Sequence, residues 1–268
     1  MYSDFRLRGE VRILNFIVSA ATDVGLIKTV NQDCYCVKVF QTCLGEVVFA
    51  ILCDGMGGLS NGEVASATLV DAFCNWTAAR LPDLCDRGIP DGEIRSDWVS
   101  LIHDCNEQLK SYGASGGFSL GTTITAILLT SQRYYIVHVG DTRAYEITDC
   151  VRILTQDQTL VAREVERGML TKDEAKTDPR RSILLQCVGA SETVYPDLFF
   201  GDTAENAVYM LCCDGFRHEI TEEEIYQYLN PCIMSDTAVM KRNLDALIEL
   251  NKQRQERDNI SVVAIRTY

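Results

Sequence analysis

Five aspartates stand where apolar runs begin or end. Asp33 precedes "CYCVKVF" (34–40), Asp54 ends "EVVFAILCD" (46–54) and Asp141 ends "RYYIVHVGD" (133–141). Asp214 ends "NAVYMLCCD" (206–214), and Asp258 precedes "NISVVAIR" (259–266). A carboxylate at the end of a buried strand is costly to desolvate unless something neutralises it. On neighbouring strands such acids converge on one rim of a sheet, where they repel one another unless cations lie between them. An all-oxygen cluster of this kind suits Mg²⁺ or Mn²⁺. Two such ions, roughly 3.5–4 Å apart, can activate a water and stabilise a leaving oxygen, which is phosphoester hydrolysis without a protein nucleophile.

Asp54 sits in "CDGMGG" (53–58), whose glycines let backbone groups come close to a phosphate, a nucleotide or a metal ion. A lone Asp-Gly pair after a strand is an ordinary turn signal. The dinucleotide fingerprint puts its glycines first and needs no acid at the strand end. A P-loop needs Lys directly before Ser or Thr, and "GMGGLSNG" has none. Only three histidines exist, none in ligand spacing with a cysteine, and no pair of CxxC motifs marks a zinc ribbon. His138 reads as a packed strand residue, Arg143 as the partner of a carboxylate, and "KQRQERD" as a solvated helix end.

The elements that must carry these acids are legible as periodicities. Strand-like runs cover 13–21, 34–40, 46–54, 122–130, 133–141, 143–148, 206–214 and 259–266. Helical patterns cover 60–81, starting on Ser60 or Asn61, and 96–113, from Ser96 to Gly113. Others cover 159–170, 171–176 and 236–256, while 111–123 is the most loop-like stretch. No linker or low-complexity tract divides the chain, so residues 1–268 are expected to form a single mixed domain.

The net charge of −13 argues against nucleic-acid binding, which needs a basic surface. The twelve cysteines lie mostly in apolar elements, as reduced thiols of a cytoplasmic protein do. The charged N-terminus does not read as a signal peptide, and no apolar run reaches transmembrane length.

In order along the chain, "TDVGLIKTVNQD" (22–33), "CDGMGG" (53–58), "LGTT" (120–123), "VGDTRAYEI" (139–147), "LTQDQTL" (154–160), "DPRRSILLQCVG" (178–189), "CDGFRHEIT" (213–221) and "RDNISVVAI" (257–265) closely resemble the metal-dependent serine/threonine protein phosphatases of type 2C, in their bacterial form. The resemblance implies an α+β fold, a four-layer α-β-β-α sandwich with a metal pair in a cleft at one end. It implies that Asp54 bridges two metals, that the Gly55 carbonyl binds the second, and that Asp214 and Asp258 complete the first. Asp141 with Asp214 would hold the weaker third ion of bacterial members, Asp33 a metal-bound water, and Lys28 the substrate phosphate. Asn259 would orient Asp258 or a neighbouring loop, and residues 150–190 resemble the flap beside the cleft.

Some positions depart from the family's commoner pattern. Lys28 replaces an Arg, keeping the charge but losing the bidentate fork. Gln32 stands where many members have a Glu near the second metal. Met56 replaces a His, and in the flap Asp178 and Ser182 replace His and Asn. The expected activity is removal of phosphate from Ser or Thr of proteins, as the partner of a bacterial serine/threonine kinase, by a monomer. The alternative motivated by Lys28 and Gln32 is a pseudophosphatase that binds phosphoproteins without turnover. A further alternative is a phosphatase specific for a small anti-sigma-antagonist protein.

Overall fold

Along strand β3 (Gly45–Asp54), alternate side chains enter two different cores. Val47, Phe49, Ile51 and Cys53 join one apolar cluster, and Val48, Ala50 and Leu52 join another. A strand apolar on both faces belongs to a covered layer, which explains why this run reads as continuous and not alternating. The computed structural model describes residues 13–56 and 61–268.

β3 lies in a five-stranded antiparallel sheet with β2 (Asp33–Thr42), β4 (Ile124–Leu129), β5 (Arg133–Val139) and β8 (Asp197–Asp202), in the order β2-β3-β4-β5-β8. A second antiparallel sheet contains β1 (Phe16–Asp23), β10 (Ile260–Thr267), β9 (Val208–Cys212), β6 (Arg143–Ile147) and β7 (Val151–Ile153), in the order β1-β10-β9-β6-β7. Leu52, Ile127 and Ile136 of the first sheet share one core with Met210, Val262 and Ala264 of the second, so the sheets pack face to face.

The outer face of the first sheet is covered by α1 (Gly62–Asp86) and α2 (Asp91–Gly116), with Phe49 against Phe73 and Trp76, and Trp76 edge-on to Trp98 at 5.5 Å. The second sheet is covered by α6 (Glu222–Leu229) and α7 (Thr237–Gln253), whose Met240, Leu244 and Leu247 are buried. This is the α-β-β-α sandwich expected from the resemblance. No helix among the described residues is long and apolar enough to cross a membrane.

The differences from the sequence reading lie mostly at boundaries. α2 begins at Asp91, five residues before Ser96, because Ile94 continues the buried stripe of Trp98, Ile102, Cys105 and Leu109. It passes Gly113 and ends at Gly116, with Gly117 left-handed (φ 71°) behind it, so much of the expected 111–123 loop is helix. α1 runs through Pro82 to Asp86 because Leu84 and Cys85 are buried. Its N-cap is Asn61; Gly57, Gly58 and Ser60 lie outside the described residues. In the segment 150–190, β7 is followed by two Thr-capped helices, α3 (Leu160–Glu166) and α4 (Lys172–Thr177). A four-residue helix, α5 (Asp214–Arg217), follows β9.

Candidate metal centre

Strand direction gathers the five acids. β2 starts at Asp33 and β3 ends at Asp54, and the two residues are direct partners across the ladder. β5 ends just before Asp141, β9 just before Asp214, and β10 begins just after Asp258. All five thus lie on one rim of the sandwich. Asp54 continues the face of Val48, Ala50 and Leu52, and Asp33 that of Tyr35 and Val37, so both side chains turn between the sheets.

Backbone contacts fix Asp54. Its N–H donates to Thr123 Oγ1 (3.0 Å), and its carbonyl accepts from Thr122 Oγ1 and from the Thr123 N–H (2.9 Å each). Gly55 packs tightly: a Cβ here would lie 2.4 Å from the Gly62 carbonyl oxygen and 2.6 Å from that of Gln32. That approach seats the loop on α1, and only glycine permits it. The Gln32 carbonyl accepts from Gly55 N–H (3.1 Å) and Ser66 Oγ (2.7 Å), while the Gln32 amide donates to Glu63 (3.3 Å). Gln32 therefore ties the β2 entry to α1, and its side-chain amide is committed to Glu63.

The donor atoms of Asp33, Asp54 and Cys213 lie within 4.8 Å of one another. Both carboxylate oxygens of Asp33 are buried and lack a hydrogen-bond partner among the described residues. Burial, with Asp214 and Asp258 adding, pushes Asp33 up to about 7 against the opposing pull of the nearby Ser261 hydroxyl and Cys213 thiol, both too distant or misaligned for a good hydrogen bond. Burial and the four other aspartates push Asp54 well above the usual carboxylate range. Burial, with Asp33, Asp54 and Asp214 adding, also raises the Cys213 thiol, so it stays protonated. The hard oxygens, and not the sulfur, are the donors this site offers to a cation, and their set fits Mg²⁺ or Mn²⁺.

The loop before β10 is held equally closely. Asn259 N–H donates to Asp258 Oδ1 (2.8 Å), and Asn259 Oδ1 accepts from Gln32 N–H (2.8 Å). The Asn259 amide reaches the Val24 and Val30 carbonyls (2.9 and 3.2 Å), so it orients both Asp258 and the loop carrying Lys28. Lys28 Nζ lies 2.9 Å from Asp258 Oδ1. Burial works against its charge, but the Asp258 hydrogen bond and the charges of Asp54 and Asp214 hold its pKa above the ordinary lysine value.

Asp141 follows Gly140, whose φ of 108° turns the chain where a Cβ would strike Thr123 Cγ2 at 2.6 Å. Its surroundings differ from those of the other acids. Arg217 Nη2 donates to the Asp141 carbonyl (2.9 Å) and lies 3.5 Å from Asp141 Oδ2 and 3.4 Å from Asp157 Oδ2. Arg143 forks onto Asp157 with two bonds of 2.7 Å, the carboxylate partner expected for it. Burial raises Asp157, yet Arg217 and Arg143 hold it below the usual range. Burial and Asp214 push Asp141 up to about 7 despite Arg217.

His218 lies 3.5 Å from Asp214 and 3.3 Å from Glu256, bridging the two acids. His138 is fully buried between Thr125 Oγ1 (2.9 Å) and the Gln156 carbonyl (3.0 Å), a packed strand residue. Sequence reasoning gave Glu63, Asp157, Arg217 and Glu256 no part here. Arg217 carried one signal, its place one helical turn after Asp214.

Comparison with known proteins agrees with this geometry. The protein phosphatase 2C family model matches residues 28–236. A serine/threonine phosphatase of Listeria innocua is 28% identical over 251 residues, covering 91% of this chain and 93% of its own. The serine/threonine protein phosphatase PstP of Mycobacterium tuberculosis is 29% identical over 248 residues, and this chain spans only 44% of it. The solved serine/threonine phosphatase of S. agalactiae superposes with a TM-score of 0.79 at 28% identity, covering 94% of this chain and 99% of that one. A PstP catalytic domain in complex with two manganese ions gives 0.75 at 26% identity, covering 95% and 99%. The chain belongs to the protein phosphatase 2C family of metal-dependent serine/threonine phosphatases.

Proposed function

We infer that this chain hydrolyses phosphoserine and phosphothreonine in proteins with two divalent ions, Mg²⁺ or Mn²⁺, held by Asp54, the Gly55 carbonyl, Asp214 and Asp258. The observation that carries this reading is the directly opposed pair Asp33 and Asp54, half-buried side by side on the rim that Asp214 and Asp258 also reach. The ions, when bound, supply charge neutralisation, an activated water and Lewis acidity toward the leaving oxygen. Asp33, whose buried oxygens meet no close hydrogen-bond donor among the described residues, is placed to orient water in the cleft and to take its proton. Lys28, partly exposed beside Asp258, meets the incoming phosphate as a point charge. Gln32 and Asn259 hold the loops that carry Asp33, Lys28 and Asp258 in register. The intact carboxylate set favours turnover over a binding role alone.

The substrates in this reading are phosphorylated proteins opposed to a bacterial serine/threonine kinase, and the chain acts as a cytoplasmic monomer. Phosphate release from phosphothreonine and phosphoserine peptides, with millimolar Mn²⁺ and with EDTA, tests the activity. Turnover with Mn²⁺ and none with EDTA is expected. Equal turnover in both would remove metals from the reaction, and no turnover with bound metal would favour the binding role.

A further inference from the structure

Arg217 places a permanent positive charge inside the rim. Its side chain is 13% exposed, and it stands one turn after Asp214 on α5. A guanidinium does not lose its proton within a protein. Its Nη2 reaches both the carbonyl and the carboxylate of Asp141 and also faces Asp157. Asp157 is already taken bidentately by Arg143, so the two arginines and the acids Asp141 and Asp157 form one buried network. Arg217 Nε is buried without a hydrogen-bond partner among the described residues. Charge, and not a full set of hydrogen bonds, keeps the guanidinium here.

A divalent ion shared by Asp141 and Asp214 would need the Asp141 carboxylate oxygens at about 2.0–2.1 Å for Mg²⁺. Arg217 Nη2 is 3.5 Å from one of those oxygens. Such an ion would therefore sit close to a guanidinium in a place with little water to screen the repulsion. Arg217 has no cheap way out, since withdrawing it would bury an arginine away from its acids or strip Asp141 of its one cationic neighbour on α5.

We propose that Arg217 is a built-in cation that takes the place of the third ion at Asp141, so that the chain operates with two divalent ions. The proposal rests on the reading of Asp54, Asp214 and Asp258 as a two-ion centre. Asp141 is then a positioning residue: it anchors Arg217 and, through α5, the orientation of Asp214.

Mn²⁺ titration of the metal-free protein, by calorimetry and by electron paramagnetic resonance of the free ion, tests this. Wild type is expected to bind two ions, and Arg217→Gln to gain a third, weaker one. Asp141→Asn in the wild-type background is expected to keep the count at two ions, with weaker affinity as Asp214 loses its support. Three ions in wild type, no gain in Arg217→Gln, or loss of an ion in Asp141→Asn would each overturn the proposal while leaving the core centre standing. Fewer than two ions in wild type would instead overturn the two-ion reading itself, and the proposal with it. Should Arg217→Gln fail to fold, the ion counts of wild type and of Asp141→Asn still decide.

Discussion

Asp33 and Asp54 are direct partners across the β2–β3 ladder, with both carboxylates on the face turned toward the second sheet. Like charges in directly opposed positions destabilise an antiparallel pair by roughly 0.2–1 kcal/mol, and more where water is excluded. The fold therefore holds a local repulsion that a cation relieves.

Metal is accordingly a stabilising ligand. At about 100 times the dissociation constant, a bound ion adds about 2.7 kcal/mol to the folded state. Thermal melts should shift upward with Mn²⁺ and downward with EDTA. Asp54→Asn in EDTA should be more stable than wild type by about 0.5–1 kcal/mol, because it removes one of the opposed charges. It should gain much less than wild type from Mn²⁺. A variant that is less stable than wild type in EDTA would show that the pair is not repulsive.

Lys28 tests the phosphate grip. Lys28→Ala should lower kcat/KM by about 10–100-fold, equivalent to about 1.4–2.7 kcal/mol of lost transition-state binding. Lys28→Arg should lower KM, because the guanidinium offers a two-pronged contact that an ammonium lacks. Steady-state kinetics on a phosphothreonine peptide separates the two. Unchanged kinetics in Lys28→Ala would leave Lys28 as a partner of Asp258 only.

The Arg143–Asp157 fork is mostly buried, with 24% and 13% side-chain exposure. Removing one partner leaves the other charge uncompensated, so Asp157→Asn should cost about 3 kcal/mol in denaturant unfolding. The double variant Arg143→Met with Asp157→Leu should cost less than that single change. A near-zero effect of Asp157→Asn would mean that the network does not support the fold.

Glu224 gives a pH-dependent test of the α6 cap and its ion pair. It caps α6 in a reciprocal box with Thr221 and forks onto Arg254, and those contacts place it at about 2. A carboxyl depressed in the folded state stabilises above its unfolded value, and that stability is lost as pH falls through the folded value. Glu224→Gln should therefore be less stable than wild type by about 1 kcal/mol at pH 7, allowing for solvent screening. The difference should shrink between about pH 4.5 and pH 2. A difference that does not change with pH would assign the effect to packing.

The acids of the site were legible because each ends or begins an apolar run, a pattern visible without knowing which strands are neighbours. Asp54 and Asp258 lie far apart in sequence, yet the strand-end rule placed both on the rim. Arg217 was not legible in its role, since it meets Asp141 and Asp157 across long stretches of chain that no local spacing encodes. β8 escaped because Asp197–Asp202 is only partly buried and has neither a clear alternation nor a long apolar run. α6 is marked in the sequence by Thr221 and Glu224, which form a capping box ahead of the buried Ile225 and Leu229. α2 starts ahead of Ser96, which resembles a cap, because Ile94 already lies on the buried stripe.

The most direct test of the central claim is to measure Mn²⁺ binding and phosphate release from a phosphothreonine peptide together, on wild type, Asp54→Asn and Asp214→Asn. The account predicts bound Mn²⁺ and turnover in wild type, with weakened binding and at least 100-fold slower release in both variants, a barrier increase of about 2.7 kcal/mol. Wild-type turnover that persists in both variants, or in the absence of metal, would contradict it.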